Sequence, residues 1–167
     1  TAGANPAAAQ LLSGDFSPSP TSGNATLAFG NVHVGDSVTR NFRIGTANSG
    51  GPSLQGAIQT SVNGGNITDG RLSGAGVTAS NWGPVAPGAT TGNLAVTFDA
   101  TSSGALTGQQ VHVLNNFDNT NSQNLAITGA AYNFAAGSVT PSPVTIANQR
   151  VGGSLAQALT VTNTAPN

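Results

Sequence analysis

The sequence predicts an all-β protein: an immunoglobulin-like antiparallel β-sandwich, with one complete module followed by the first two strands of a second tandem module. Three observations predict it. Apolar and polar residues alternate in short runs that are separated by clusters of Gly, Pro, Asn, Asp and Ser. The chain has no Glu or Lys and shows no helical periodicity. A segment of 23 residues recurs 117 positions further along, which is about the length of one sandwich domain.

The repeat relates residues 26–48 to residues 143–165. The matching positions are Phe29 and Ile146, Asn31 and Asn148, Val34-Gly35 and Val151-Gly152, Ser37 and Ser154, Phe42 and Leu159, and Ile44 and Val161. The second copy holds only two strands before Asn167, and two strands do not bury a face on their own. We therefore expect either that the chain continues in the native protein or that another subunit completes the sheet.

About seven strands are predicted in the first module from residues that alternate on one face. The inward residues are Leu27 and Phe29, then Val38, Phe42 and Ile44, then Leu54, Ile58 and Val62, then Leu94, Val96 and Phe98, then Val111 and Val113, and last Leu125 and Ile127. Arg40 lies on the inward face of its strand, and Gln157 occupies the matching position in the second copy. A polar residue at this position in both copies indicates that the strand is solvated or bulged there. Residues 63–84 lack clear alternation and are expected to form a loose region. Its Trp82 is expected in the core rather than exposed for stacking on a sugar.

Four segments follow from these patterns. Residues 1–23 are predicted to be an N-terminal arm or linker, 24–134 the sandwich module, 135–143 a linker, and 144–167 the opening strands of an incomplete second module. In the arm, Leu11, Leu12 and Phe16 are the large apolar residues, and we expect them to need a partner surface.

The composition is nearly free of charge. Charged residues make up 5% of the chain, against about 25% in ordinary soluble domains, and the net charge is −1. Such a chain has no electrostatic field to draw it to nucleic acid or anionic lipid. No apolar stretch has the length of a transmembrane segment. The absence of Cys fits a bacterial surface protein, and an uncharged surface rich in Asn and Thr suits a secreted protein that associates, so we expect an extracellular or cell-surface location.

Several motifs resemble a known group of bacterial repeats. They are LAFGNVHVGDSVTRNFRI, the turn Ala86-Pro87-Gly88 before LAVTF, the closing ITGAAYN and the restart PVTIANQRVGG. In order and spacing they resemble the ASPM/SPD-2/Hydin and major-sperm-protein-like domains of choice-of-anchor D proteins, over about residues 24–167. The resemblance implies a secreted or surface-anchored repeat protein with an immunoglobulin-like fold and no catalytic centre.

Residue types that carry chemistry are scattered. His33 and His112 fall on different elements with no Cys or Glu to join them, and no Ser has a base and an orienting group in a recognisable pattern, so we predict no enzyme activity and no cofactor. Asp69, and Asp118 within the loop of residues 115–119, offer the oxygen ligands that calcium prefers. Such loops more often bond to their own backbone, and calcium at Asp118 stays a lesser alternative.

The function predicted from these features is that of a secreted structural protein. It would assemble with copies of itself, by β-strand sharing or head-to-tail stacking, into an extracellular filament, sheath or surface layer. The predicted interface lies in segments 7–16, 144–147 and 154–163 and comprises Leu11, Leu12, Phe16, Val144, Ile146, Leu155, Leu159 and Val161. Because main-chain and apolar contacts need no charge, assembly should be insensitive to salt.

The alternative is a cell-surface adhesin module that binds carbohydrate or a protein partner through its loops. The long predicted loops at 63–81 and 115–123 favour that alternative. Glycans and other surface proteins are accordingly further candidate partners.

Overall fold

The computed structural model describes residues 10–16, 24–46, 51–116 and 122–166. The chain divides into two compact units, residues 1–132 and 133–167. The described residues of the first unit form ten strands: β1 (Gln10–Gly14), β2 (Ala25–His33), β3 (Ser37–Thr46), β4 (Leu54–Gln59), β5 (Leu72–Ser73), β6 (Ser80–Val85), β7 (Leu94–Asp99), β8 (Gly104–Ala105), β9 (Gln109–Asn115) and β10 (Gln123–Tyr132). A three-residue 3₁₀ turn, Ala75–Val77, is the one helical piece among the described residues, so none of them belongs to a helix that could cross a membrane.

The strands of the first unit form two sheets around one apolar core. One sheet has the order β1-β3-β7-β5, and the other has the order β2-β10-β9-β4-β6, with β8 paired to β10. The rings of Phe29 in one sheet and Phe98 in the other meet edge to face, with their centroids 5.7 Å apart. The all-β class is therefore confirmed, and two sheets around a shared core are consistent with the predicted β-sandwich.

Alternation along each strand explains this core. Strand β9 points Val111 and Val113 into the core, while His112 between them is only half-buried. Every residue predicted to face inward is buried or packs against the core, except Val62. Strand β4 ends at Gln59, and the chain turns with Asn63 at a φ of 53°, so Val62 is exposed rather than inward.

The predicted arm is partly wrong. Residues 10–14 form the edge strand β1, which pairs antiparallel with β3 and places Leu12 opposite Ile44. Leu12 and Phe16 are buried in the core of their own unit. A short strand that pairs with a long apolar strand can form with little intrinsic β-propensity. Pairing with β3 and burial of Leu12 stabilise β1.

Two further differences concern pairing. The region predicted as loose contains β5 and β6, and β6 forms an edge of its sheet. Strands β2 and β10 pair in parallel, with a register shift between Thr128 and Ala130, whereas the prediction was an antiparallel sandwich. The other strand pairs among the described residues are antiparallel. Strands β1 and β2 follow each other in the sequence but lie in different sheets, and β2 pairs with the distant β10, which local patterns do not encode.

The second unit contains one antiparallel pair, β11 (Gly137–Thr140) and β12 (Thr160–Asn163). Residues 137–140 were predicted to lie in a linker, and they form a strand because β12 pairs with them. Residues 144–147 were predicted to open a strand, yet they are not in a strand in this structure. Of the predicted segment 154–163, only 160–163 is a strand.

Local geometry recurs between the units at the repeat spacing. Strand β1 pairs with residues 42–46 of β3, and β11 pairs with residues 160–163, which are the counterparts of residues 43–46, in the same register. The turn recurs as well. The N–H of Asp36 donates to the carbonyl of His33, and the N–H of Gly153 donates to the carbonyl of Arg150. Gly35 and Gly152 occupy positive φ, at 100° and 83°, where glycine is favoured.

Candidate functional site

The second unit carries an exposed apolar surface. All eight of its large apolar side chains are exposed: Phe134, Val139, Val144, Ile146, Val151, Leu155, Leu159 and Val161. Monomeric soluble proteins rarely expose so many within so short a segment, and concentrations of this kind mark interaction sites. We call these eight residues the open apolar surface.

Counterparts in the first unit are buried. Ile44 is 0% exposed and Val161 is 71% exposed, although they match in the repeat. Phe42 is likewise 0% exposed, whereas Leu159 is 50% exposed. Matching apolar positions of the repeat therefore face a core in one unit and solvent in the other. The difference arises from the neighbouring strands, because β3 has β7 beside it and the second sheet against it.

The two halves of β3 pair with different strands, and this difference explains why β12 is short. Residues 37–42 of β3 pair with β7, whereas residues 42–46 pair with β1. In the second unit, β11 supplies the counterpart of β1, and residues 160–163 become a strand. Residues 154–159 are the counterparts of the half that pairs with β7, and they have no strand partner among the described residues and no strand conformation. We call residues 154–159 the unpaired half-strand.

Charge is almost absent from the second unit. Arg150 is the one charged side chain in residues 133–167. Copies of such a surface repel one another only weakly, because an isolated unit charge is largely screened at physiological ionic strength. Charge therefore contributes little to the chemistry of this surface.

The predicted interface residues fall into three groups. Val144, Ile146, Leu155, Leu159 and Val161 all belong to the open apolar surface. Leu12 and Phe16 are buried in the first unit, so their proposed role at an intermolecular interface is wrong for this conformation. The side chain of Leu11 lies outside the described part of the chain. Phe134, Val139 and Val151 complete the exposed set, and none of the three belongs to the predicted interface.

An open cavity of about 400 Å³ lies beside Trp82. Its polar side chains come from Gln55, Asn81 and Asn116 and from the buried Asn115, and the Asn116 Oδ1 accepts a hydrogen bond from the Gln55 backbone N–H. Trp82 itself is 6% exposed, which confirms its predicted burial. Its Nε1 is also buried and has no hydrogen-bond partner among the described residues. A sugar cannot stack on the face of a ring that is covered in this way.

Ion pairs and hydrogen bonds between polar groups stabilise the loops of the first unit. Asp69 Oδ2 lies 2.7 Å from Arg71 Nη2, and the Arg71 guanidinium lies over the Phe98 ring at 5.2 Å from its centroid. The side-chain hydrogen bond from Arg71 lowers the pKa of Asp69, and the same bond raises the pKa of Arg71. The Arg71 side chain also donates to the carbonyls of Ser102, Gly104 and Ala105. Arg71 therefore ties the 69–72 segment to the 102–105 turn.

The candidate metal ligands are not brought together. Both carboxylate oxygens of Asp69 accept hydrogen bonds from Arg71, which leaves this carboxylate engaged in an ion pair. No group of three His, Cys, Asp or Glu side chains suited to a metal occurs within the described ranges. Asp118, the predicted calcium candidate, lies outside those ranges. His112 Nδ1 lies 2.7 Å from Asn124 Oδ1, and His33 is exposed at the end of β2.

No protein-family model matches the chain, and no curated protein matches it. Among solved structures, a family 123 glycoside hydrolase from Clostridium perfringens, described in a study of glycolipid glycan hydrolysis, shares 8% sequence identity with a TM-score of 0.39. The match covers 75% of this chain and 27% of that chain, so this chain spans about a quarter of its length. A similarity this low does not indicate enzymatic activity.

Proposed function

We propose that this chain is a structural protein of an extracellular or cell-surface assembly, in which β-sandwich modules associate through strand pairing or stacking at the second unit. One observation carries the proposal: positions buried in the first copy of the repeat are exposed in the second. Burying an exposed Val or Leu side chain stabilises a contact by about 1.5–3 kcal/mol. Five such residues of the predicted interface lie in the second unit, which favours association there.

The finer description of the fold belongs to the same proposal. An immunoglobulin-like first module followed by the opening of a second accounts for the 117-residue repeat and for the shared register of β1 with β3 and of β11 with β12. The kinship with choice-of-anchor D proteins rests on the motifs described above. Secretion fits the low charge and the absence of Cys.

Sedimentation velocity over a range of protein concentrations tests the proposed function. The chain should form larger species as concentration rises, and Val161→Asp should suppress them because a buried unpaired carboxylate is costly. Val62→Asp is the matched control, since Val62 is an exposed valine of the first unit. Equal suppression by both variants, or a monomer at every concentration, would contradict the proposal.

The cavity beside Trp82 favours a second candidate function, recognition of a glycan or another polar ligand by an adhesin module. Its amide side chains can donate and accept hydrogen bonds, as polar ligands require. A glycan array with Asn81→Ala as the variant and Asn63→Ala as the surface control tests it. Binding that Asn81→Ala alone abolishes supports this function, and an array without binding excludes the glycans tested.

A further inference from the structure

We propose that the unpaired half-strand, residues 154–159, accepts an antiparallel strand with the residue pattern of β7, and this inference rests on the proposed function. The partner is a strand that presents apolar residues at three alternate positions. It is inferred from the contacts that the first unit makes at the matching positions.

The first unit defines the register of this pairing. Phe98 of β7 lies opposite Val38, and Leu94 lies opposite Phe42. Carried over by 117 positions, these contacts place one apolar residue of the partner opposite Leu155 and another opposite Leu159. Both leucines are exposed, so residues of the partner can pack against them. The pairing has no register shift in the first unit, so the partner needs no bulge.

The position opposite Gln157 determines which kind of residue the partner carries at its centre. Val96 lies opposite Arg40 in the first unit, and Arg40 Nε is buried with no hydrogen-bond partner among the described residues. Gln157 takes that place in the second unit and is neutral. An apolar partner residue can therefore lie opposite Gln157 without the burial of a cation, which would be costly.

Backbone groups supply the remaining affinity. A strand that pairs with residues 154–159 would bond to the N–H and C=O groups of alternate residues in this segment, as in other cases of strand addition. Because β11 already holds residues 160–163 in strand conformation, the added strand extends an existing pair rather than starting a new sheet. This lowers the conformational entropy that the contact must overcome.

A labelled synthetic peptide with the sequence of residues 93–100 tests the inference in the full chain. Fluorescence anisotropy should show saturable binding to one site per chain. Amide hydrogen exchange should slow in residues 154–159 when the peptide is bound. The double variant Leu155→Asp with Leu159→Asp should weaken binding by at least about tenfold. Val62→Asp and a peptide with the same composition in scrambled order are the matched controls.

The outcomes separate this inference from the proposed function. Peptide binding that protects residues 37–42 instead would mean exchange with β7 and would overturn the inference. Absence of binding would overturn it too, and concentration-dependent assembly sensitive to Val161→Asp would then leave the proposed function standing. If the chain binds the peptide but never self-associates, strand pairing at residues 154–159 is supported and the proposed assembly is contradicted.

Discussion

Val139 lies opposite Val161 in the antiparallel pair of β11 and β12, and both side chains are exposed. Val161 is the repeat counterpart of Ile44, which lies opposite the buried Leu12 in the first unit. The pairing is thus the same in both units, while burial is not. Strand pairing alone does not bury a residue; a second sheet against the same face does.

We expect substitution of Phe98 to destabilise the first unit more than substitution at any other position. Its ring contacts Phe29 and carries the Arg71 guanidinium above it. Phe98→Ala should lower the free energy of unfolding by about 3–5 kcal/mol, because it leaves a cavity in the core. Urea unfolding followed by the fluorescence of Trp82 measures this loss. Tyr132→Ala, at an exposed position, should change it by less than about 0.5 kcal/mol.

Gln109 is expected to hold the chain before β5 in place. Its Oε1 accepts from the backbone N–H groups of Thr68 and Asp69, and its Nε2 donates to the Thr107 carbonyl. Gln109→Leu should cost about 1–3 kcal/mol, since it leaves these backbone groups without partners. Hydrogen exchange should rise at residues 66–71. Gln110→Leu, next to it, removes one exposed hydrogen bond and should cost less.

The Asp69–Arg71 pair predicts a dependence of stability on acid. Arg71 lowers the pKa of Asp69 in the folded chain, so Asp69 binds its proton less readily when folded than when unfolded. The pair therefore stabilises the fold above the unfolded pKa of about 4, and this contribution is lost as the pH falls through the lower folded pKa. Asp69→Asn should flatten the stability profile in acid. Thermal melts from neutral to acid pH measure both chains, and parallel profiles would contradict the assignment.

Association should be nearly independent of salt. The second unit has Arg150 as its one charged side chain, so screening has little to weaken. We expect the sedimenting species at a fixed concentration to be the same in low and high sodium chloride. Dissociation by moderate sodium chloride would show that charge holds the assembly together, contrary to the proposal.

Strong local alternation made six strands of the first unit predictable. In strands β2, β3, β4, β7, β9 and β10, large apolar residues recur on one buried face, although Arg40 interrupts the pattern in β3 and Gly56 interrupts it in β4. Strands β1, β5 and β6 lack it. They are short, interrupted or at sheet edges, and their stability comes from neighbours distant in the sequence. The parallel pairing of β2 with β10 is equally non-local.

The open apolar surface could be predicted in part. The repeat identified Ile146, Leu159 and Val161 through their matches to Phe29, Phe42 and Ile44. Val139 was missed because Leu12, the residue in the matching place, lies 127 positions before it, whereas Ile44 lies 117 positions before Val161. A signal was nevertheless present: Ser-Pro-Ser-Pro follows β1 at residues 17–20, and Thr-Pro-Ser-Pro ends β11 and continues to residue 143.

Amide hydrogen exchange of residues 154–163, compared between dilute and concentrated protein, tests the central claim most directly. If assembly covers the second unit by strand pairing, exchange in this segment should slow markedly as the concentration rises, while exchange in the core strand β9 stays constant. Exchange that remains fast in residues 154–163 under conditions where larger species form would place the contact elsewhere and contradict the account.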